Sequence, residues 1–189
     1  MTQLLVFSGS SRTESFNLRL AVQLASFAEH EDAEVSLVDL RDFDLPIYNG
    51  DLEDTKGLPR AAKRLKKLLQ DNTGLIIACP EYNGFMTPLL VNAIAWCTRS
   101  EDASVDLSGF AEKTVLIASA SPGPGGGSRA NTHLKTMLSG IGSIVFPQTL
   151  TVPSAYNAFD DQGEFLDDSM KKRAKRLIEK FVQFTNRFE

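Results

Sequence analysis

The chain has 189 residues, of which 42% are hydrophobic and 23% charged, and its formal net charge is −4. This length suits one domain with a sizeable buried core, so we expect residues 1–189 to fold as a single domain. The negative net charge and the lack of a long basic block argue against general nucleic-acid binding, which needs a concentrated positive field. We find no signal-peptide pattern and no apolar run long enough to cross a bilayer, so we expect no membrane association and a cytoplasmic location.

Short apolar runs alternate with helical patterns along the chain. Continuous apolar runs predict strands buried on both faces, and apolar residues at a spacing of 3.6 predict helices. In chain order the patterns predict strand 4–7, helix 17–28, strand 35–38, helix 58–69, strand 75–78, helix 88–97, strand 115–118, helix 129–138, an extended stretch 143–152 broken at Pro147, and helix 168–188.

This alternation of five βα units predicts an α/β fold with a doubly wound parallel sheet and helices on both faces. Ligands of such sheets bind beyond the carboxyl ends of the strands, where the strand order reverses. The loops after the first, third and fourth strands are therefore the candidate functional segments.

The loop after the first strand, residues 9–17, is rich in hydroxyl groups and opens a helix. A helix N-terminus presents unpaired N–H groups and a positive dipole end, and Arg12 adds a charged fork of donors. This combination predicts a site for a phosphate monoester dianion. The alternative is that Ser15 or Asn17 is only a helix N-cap.

The loop after the third strand reads Pro-Glu-Tyr-Asn-Gly over residues 80–84. Backbone N–H groups of Glu81, Tyr82 and Asn83 could line the edge of a flat heteroaromatic ring and stabilise its anionic reduced form. Tyr82 or Phe85 could cover one face of the ring. The alternative is an ordinary Asn-Gly turn.

The loop after the fourth strand, residues 119–129, is rich in glycine and proline. Glycine lets backbone approach a ligand closely. A dinucleotide motif is disfavoured, because the loop does not follow the first strand and no acidic residue stands at the spacing that a ribose requires. We interpret the loop as a flexible wall over a ligand held by the other two loops; a mobile surface loop is the alternative.

Two of these motifs resemble a known family. Gly9-Ser10-Ser11-Arg12, followed by Ser15 and Asn17, resembles the phosphate loop of the NADPH-dependent FMN reductase family. Pro80-Glu81-Tyr82-Asn83-Gly84, followed by Asn92-Ala93-Ile94 and Trp96, resembles the second signature of that family, and Leu45-Pro46-Ile47-Tyr48-Asn49 resembles its segment after the second strand.

The resemblance implies a flavodoxin-like three-layer sandwich with a five-stranded parallel sheet in the order 2-1-3-4-5. It also implies FMN as cofactor, NADPH or NADH as co-substrate, a small acceptor such as free flavin or a quinone, and a homodimer or homotetramer. The flavin carries the chemistry, so no catalytic side chain and no metal are expected. The implied cofactor-binding residues are Ser10, Arg12, Ser15, Phe16 and Asn17 at the phosphate, Pro80, Glu81, Tyr82, Asn83 and Gly84 at the ring edge, and Ser119 with Gly123 on the other side.

Two other functions remain open on the sequence. A flavodoxin-type electron carrier would bind FMN without a nicotinamide site, although such carriers are typically far more acidic. A non-catalytic redox-sensing or partner-binding module could use the same fold, because a fold does not determine a function.

The predicted helix 88–97 is apolar nearly all round, whereas a helix on one side of a sheet needs a single apolar stripe. The excess predicts a second buried face, which we interpret as a subunit interface. The alternative is that segment 50–56 or segment 101–110 covers it. Cys79 ends a buried strand and is interpreted as a small hydrophobic residue.

Overall fold

A computed structural model describes residues 1–188, so Glu189, the last residue of the expected domain, lies outside the described residues. The strands of residues 1–188 are β1 (Gln3–Ser8), β2 (Glu34–Asp39), β3 (Gly74–Ala78), β4 (Glu81–Tyr82), β5 (Phe85–Met86), β6 (Thr114–Ala120), β7 (Ile144–Val145) and β8 (Leu150–Val152). The α-helices are α1 (Phe16–Glu29), α2 (Gly50–Lys56), α3 (Arg60–Asp71), α4 (Pro88–Cys97), α5 (Ser128–Gly140) and α6 (Asp168–Thr185). Single 3₁₀ turns cover Leu40–Asp42, Ala155–Asn157 and Asn186–Phe188. Over this part of the chain, no helix combines the length and apolar character that a membrane span requires.

The central sheet is parallel and runs β2-β1-β3-β6, with β7 and β8 both paired to β6 at the far edge. The predicted order is confirmed, but two short strands occupy the fifth position. The interruption lies at Pro147, as predicted, because proline has no N–H to donate to a sheet ladder.

The sheet is covered on both faces, which confirms the three-layer architecture. Alternate residues of β1 belong to different cores: Leu4 and Val6 pack towards α1 and α6, whereas Leu5 and Phe7 pack towards α3, α4 and α5. These side chains are almost fully buried. Each contributes about 1.5–3 kcal/mol of transfer free energy, so the sheet is a rigid support for its loops.

The predicted helices are confirmed, but only α4 has the predicted bounds, and the other four helices differ at one or both ends. Helix α3 begins at Arg60 rather than at 58, because the residue before Pro59 is disfavoured in helical conformation. Helix α6 ends at Thr185, and the last predicted turn is a 3₁₀ turn.

The second apolar face of α4 is covered within the chain. Trp96 is fully buried, and it packs against Leu58 with Tyr48 and Leu52 around it. The indole N–H donates to the Pro46 carbonyl at 2.7 Å. Segment 50–56, which forms α2, therefore covers this face of α4, as the alternative to a subunit interface predicted.

Candidate functional site

The loops after β1, β3 and β6 meet at the carboxyl edge of the sheet and enclose a narrow cleft. Most of the expected site residues line it. The lining residues are Ser10, Arg12, Ser15, Phe16, Asn17, Pro80, Glu81, Tyr82, Ala120, Ser121 and Pro122.

Two serine hydroxyl groups in the first loop are oriented by backbone N–H donors. The N–H of Leu18 donates to Ser15 Oγ at 3.2 Å, so Ser15 is the N-cap of α1. The N–H of Arg12 donates to Ser10 Oγ at 3.2 Å. Because a hydroxyl can accept one bond and still donate its own proton, both serines can cap the loop and donate to an anion.

Arg12 is an unpaired cation at the mouth of the cleft. Its side chain is exposed and makes no ion pair with any other residue of the described chain. The nearby carboxylate of Glu14 is paired with Arg19 at 2.9 Å, and the first turn of α1 holds no acidic residue. Helix dipole and guanidinium therefore act together on a ligand, and this donor set fits a phosphate dianion.

Asn17 joins the first loop to the third. Its amide nitrogen donates to the Ala120 carbonyl at 2.8 Å, and its amide oxygen accepts from the Ala120 N–H at 2.9 Å. The side chain is buried. One amide hydrogen is left for a ligand. The main role of Asn17 is therefore to hold the loop after β1 against the end of β6.

The second loop is a tight hairpin. Strands β4 and β5 pair antiparallel, and Asn83 and Gly84 between them have φ of 53° and 80°. Two left-handed residues form the type I′ turn that joins strands in this way, so the Asn-Gly turn is present. The ladder engages alternate backbone groups, which means that the N–H groups of residues 81–83 cannot all face a ligand. Asn83 and Gly84 lie outside the cleft lining.

The carboxylate of Glu81 is bound to α5. It accepts hydrogen bonds from the N–H groups of Arg129 and Ala130 at 3.1 and 3.3 Å and pairs with the Arg129 guanidinium at 2.5 Å. Burial opposes ionisation, but the hydrogen bonds from Arg129 and Ala130 outweigh it and lower the pKa of Glu81. The group is ionised at neutral pH, so it is not a proton donor.

Ser119 and Gly123 lie behind the third wall of the cleft rather than on it. Ser119 is fully buried; its hydroxyl donates to the Gly126 carbonyl at 2.6 Å and accepts from the Asn131 amide at 2.8 Å. The carbonyl of Gly123 accepts from the N–H of Gly126 at 3.2 Å. The cleft surface itself is formed by residues 120–122, which lie in the predicted wall loop but were not among the predicted cofactor-binding residues.

A fourth loop, residues 153–157, also reaches the site and was missed. The N–H of Ala155 donates to the Ser121 carbonyl at 3.1 Å. The exposed ring of Tyr156 stands edge-on to Phe16, with 5.1 Å between ring centroids. The signal in the sequence was its position after the last strand of the sheet, since ligand loops of these folds follow strand ends.

Thr87 is a second residue that was missed. Its hydroxyl donates to the Gly9 carbonyl at 2.5 Å and accepts from the Leu90 N–H as the N-cap of α4. A threonine directly before Pro88 is a recognisable helix start, and that pattern could have found it. The bond fixes the loop after β1 against α4.

Cys79 lies close behind the second loop and is buried. Burial raises the pKa of its thiol to about 12. Because thiolate is the reactive form, the side chain is inert at neutral pH and packs as a small hydrophobic residue.

Comparisons with known proteins identify the family. The model of the NADPH-dependent FMN reductase family matches residues 2–157. An NAD(P)H-dependent FMN reductase of Pseudomonas aeruginosa is 33% identical over 183 residues, covering 96% of this chain and 91% of the relative. A quinone reductase of Escherichia coli is 29% identical over 98% of this chain and 96% of its own, and a 2-hydroxy-1,4-benzoquinone reductase of a Burkholderia species is 29% identical over 94% and 92%.

The solved structures agree with this assignment. The flavoenzyme FerB, an NAD(P)H:(acceptor) oxidoreductase of Paracoccus denitrificans, superposes with a TM-score of 0.81 at 25% identity, covering 100% of this chain and 99% of its own. An archaeal flavodoxin, with a TM-score of 0.56 at 11% identity over 98% of this chain and 99% of its own, shares the fold. The chain therefore belongs to the NADPH-dependent FMN reductase family, with a flavodoxin-like fold, and is an oxidoreductase that uses FMN and NAD(P)H.

Proposed function

We propose that FMN lies in the cleft between the loops after β1, β3 and β6, with its phosphate at the N-terminus of α1. The observation that carries the proposal is the unpaired Arg12 beside two oriented hydroxyls and a helix end without acidic residues. Ser10 and Ser15 donate their hydroxyl protons, Asn17 its remaining amide hydrogen and Arg12 its charge. A dianion gains most from such a donor set, because bonds to charged groups are the strong ones.

The isoalloxazine ring would lie between the hairpin and residues 120–122. Pro80 and Tyr82 line the first wall, and Asn83 with Gly84 maintain it by forming the turn. Phe16 closes the phosphate end. Ser119 and Gly123 do not line the cleft; they support residues 120–122 by hydrogen bonds within the loop after β6.

Bound FMN would supply the two-electron chemistry between NADPH or NADH and the acceptor. The chain would bind and orient the cofactor and leave one face of it accessible. Because Glu81 is ionised and paired and Cys79 is a buried thiol, neither would move a proton in the reaction. No side chain of the cleft is therefore assigned a catalytic role.

We propose a free flavin or a quinone as the acceptor and the cytoplasm as the location. Three of the relatives above are named for flavin or quinone reduction, and small flat acceptors suit a cleft that is open to solvent. A flavodoxin-type carrier is the competing function. Steady-state oxidation of NADPH with a quinone separates the two, because a carrier without a nicotinamide site does not turn over.

The cofactor site is tested by titrating the apoprotein with FMN. We expect Arg12→Ala to raise the dissociation constant for FMN by roughly ten- to a hundredfold, because a hydrogen bond to a charged group contributes about 1.5–3 kcal/mol. Adding Ser10→Ala should weaken it further. Arg41→Ala is the control, since Arg41 is exposed and paired with Asp39 outside the cleft. Affinity that survives both cleft substitutions would contradict the site.

We also propose that the protein is a homodimer or homotetramer. Ile47 is 87% exposed although the peptide groups on both sides of it are hydrogen-bonded to α4. A rigid, exposed aliphatic side chain is suited to a subunit contact.

A further inference from the structure

Helix α5 lacks an N-cap of its own. The residue at its N-cap is Gly127, which has no side chain, and its first turn contains no acidic residue. The first N–H groups of a helix have no partner inside the helix and need an acceptor from outside. For α5, that acceptor comes from the hairpin.

Glu81 supplies it. Its Oε2 accepts from the N–H groups of Arg129 and Ala130, at the second and third positions of α5. Its Oε1 accepts from Nε and Nη2 of Arg129 at 2.9 and 2.5 Å. The carboxylate is 11% exposed, whereas the Arg129 side chain is 73% exposed. The buried Glu81 carboxylate accepts all four hydrogen bonds, whereas the Arg129 side chain is mostly exposed, so Glu81 is the central residue of this contact.

Two further contacts seat the hairpin on the same helix. The Arg129 guanidinium lies over Gly84, where an added Cβ would be 3.4 Å from Cζ. The ring of Phe85 packs on His133, with 4.7 Å between centroids. The hairpin therefore rests on α5 at its start, turn and end.

The alternation of a strand gives this contact a consequence for the cleft. Successive side chains of β4 point to opposite faces, so the face of Tyr82 is set when the side chain of Glu81 is fixed to α5. Tyr82 lines the cleft and is 43% exposed, with no hydrogen bond that would hold its ring from the other side within residues 1–188.

We propose that Glu81 is a positioning residue, whose carboxylate clamps the hairpin to the N-terminus of α5 and thereby fixes the wall that receives the flavin ring. This inference rests on the proposed flavin site. The carboxylate itself does not touch the cofactor; it acts through Tyr82 and the backbone of residues 80–82. Because it caps a helix and pairs with an arginine at once, both attachments are lost when it is removed.

A role in stability alone would also make Glu81→Ala less stable, so the experiment needs a matched control. Asp167 provides one, because its carboxylate is the N-cap of α6 and accepts from the Ser169 N–H at 2.8 Å, in a loop that does not line the cleft. Asp167→Ala removes a carboxylate cap as Glu81→Ala does. Both should lower the urea midpoint, but only Glu81→Ala should change flavin binding.

The measurements are FMN titration of each apoprotein and single-turnover reduction of the saturated holoprotein by NADPH. We expect Glu81→Ala to weaken FMN binding by about tenfold and to slow flavin reduction at saturating FMN by a similar factor. Glu81→Gln should recover most of both, because its carbonyl oxygen can still cap α5. Arg129→Ala should have a smaller effect than Glu81→Ala, since the helix cap is left intact.

The outcomes separate this inference from the site on which it rests. If wild-type protein binds FMN, and Arg12→Ala weakens it, while Glu81→Ala and Glu81→Gln both match wild type in affinity and reduction rate, the clamp is wrong and the site stands. If Asp167→Ala reduces affinity as much as Glu81→Ala, the effect is general destabilisation and the clamp is wrong.

If wild-type protein fails to bind FMN, the site itself is wrong. Should Glu81→Ala not fold, Arg129→Ala decides: wild-type FMN affinity and reduction rate in that variant overturn the clamp.

Discussion

At the scale of single residues, Asn17 contributes to the candidate cleft mainly by joining two of its loops, and only one amide hydrogen is left for a ligand. Its amide satisfies both backbone groups of Ala120, which lie in the buried wall of the cleft. We predict that Asn17→Ala lowers the free energy of unfolding by about 2 kcal/mol, because it leaves a buried N–H and C=O unpaired, and that it also weakens FMN binding. Urea unfolding and FMN titration measure the two effects. Gln162→Ala, at an exposed carboxamide that does not line the cleft, should change neither; an Asn17→Ala variant as stable as wild type would contradict the bridge.

Glu53 makes a prediction about pH. It is buried beneath α4 and accepts from Arg99 Nε at 2.8 Å and from the Tyr48 hydroxyl at 2.9 Å. The hydrogen bond from Arg99, opposed by burial and aided by Tyr48, lowers the pKa of Glu53. A carboxyl whose pKa is lower in the folded state stabilises the fold above the unfolded value, about 4.3, and this stabilisation is lost as the pH falls through the folded value.

The corresponding variant is Glu53→Gln, which keeps the shape and removes the charge. We expect it to be less stable than wild type by about 2 kcal/mol at pH 7 and the difference to narrow as the pH approaches 3. Denaturant unfolding across this range gives both values. Glu101→Gln, at an exposed carboxylate paired with Lys63, should change stability by less than about 1 kcal/mol at pH 7. A difference for Glu53→Gln that stays constant with pH would refute the assignment.

At the scale of elements, periodicity predicted the strands and helices because the side chains that carry it are the ones the layers bury. The break at Pro147 was equally readable, because proline removes a donor whatever surrounds it. Helix α2 was not predicted, because its sequence is mostly polar and shows no apolar periodicity. Its position depends on the contact between Leu52 and the cluster around Trp96 of α4. The residues of loops one and two were found from their polar groups, whereas the bond from Asn17 to Ala120 and the cap from Glu81 to α5 join residues far apart in sequence and carry no local signal.

Gly9 tests how closely the elements around the cleft approach one another. A Cβ at this position would lie 2.9 Å from Leu90 Cβ on α4 and 3.2 Å from Pro80 Cδ. We predict that Gly9→Ala forces the loop after β1 away from both and lowers the free energy of unfolding by about 1–3 kcal/mol, with weaker FMN binding. Gly50→Ala is the control, because nothing lies within 4 Å of its added Cβ and alanine favours the helix. Unfolding and FMN titration compare the two, and a Gly9→Ala variant that equals Gly50→Ala would show that the loop has room to move.

At the scale of the whole molecule, the position of the candidate cleft follows from topology. Loops that follow three adjacent parallel strands open at one edge, and the two that flank β3 come from its neighbours β1 and β6. The sheet is rigid because both faces are buried, so the polar groups where these loops begin are held with little freedom.

Because the second apolar face of α4 is covered within the chain, a subunit contact would use a different surface, and the segment around Ile47 is the candidate. The Pro46 carbonyl accepts from Trp96 and Asn92, and the Tyr48 N–H donates to Asn92, so the backbone on both sides of Ile47 is fixed while its side chain remains in solvent. Burying such a side chain in a subunit contact yields about 1.5–3 kcal/mol for each copy with little loss of conformational entropy. We therefore predict that Ile47→Asp converts the oligomer to monomer in sedimentation velocity.

Val105→Asp is the control for that experiment, because Val105 is also exposed, at 67%, and lies in a different loop. It should leave assembly unchanged if the contact depends on Ile47 rather than on exposed apolar surface in general. An Ile47→Asp oligomer as stable as wild type would place the contact elsewhere, and a wild-type monomer at micromolar concentration would remove the oligomer altogether. FMN affinity should be retained in both variants, since neither residue lines the cleft, so a loss of affinity in Ile47→Asp would mean that the second subunit completes the flavin site.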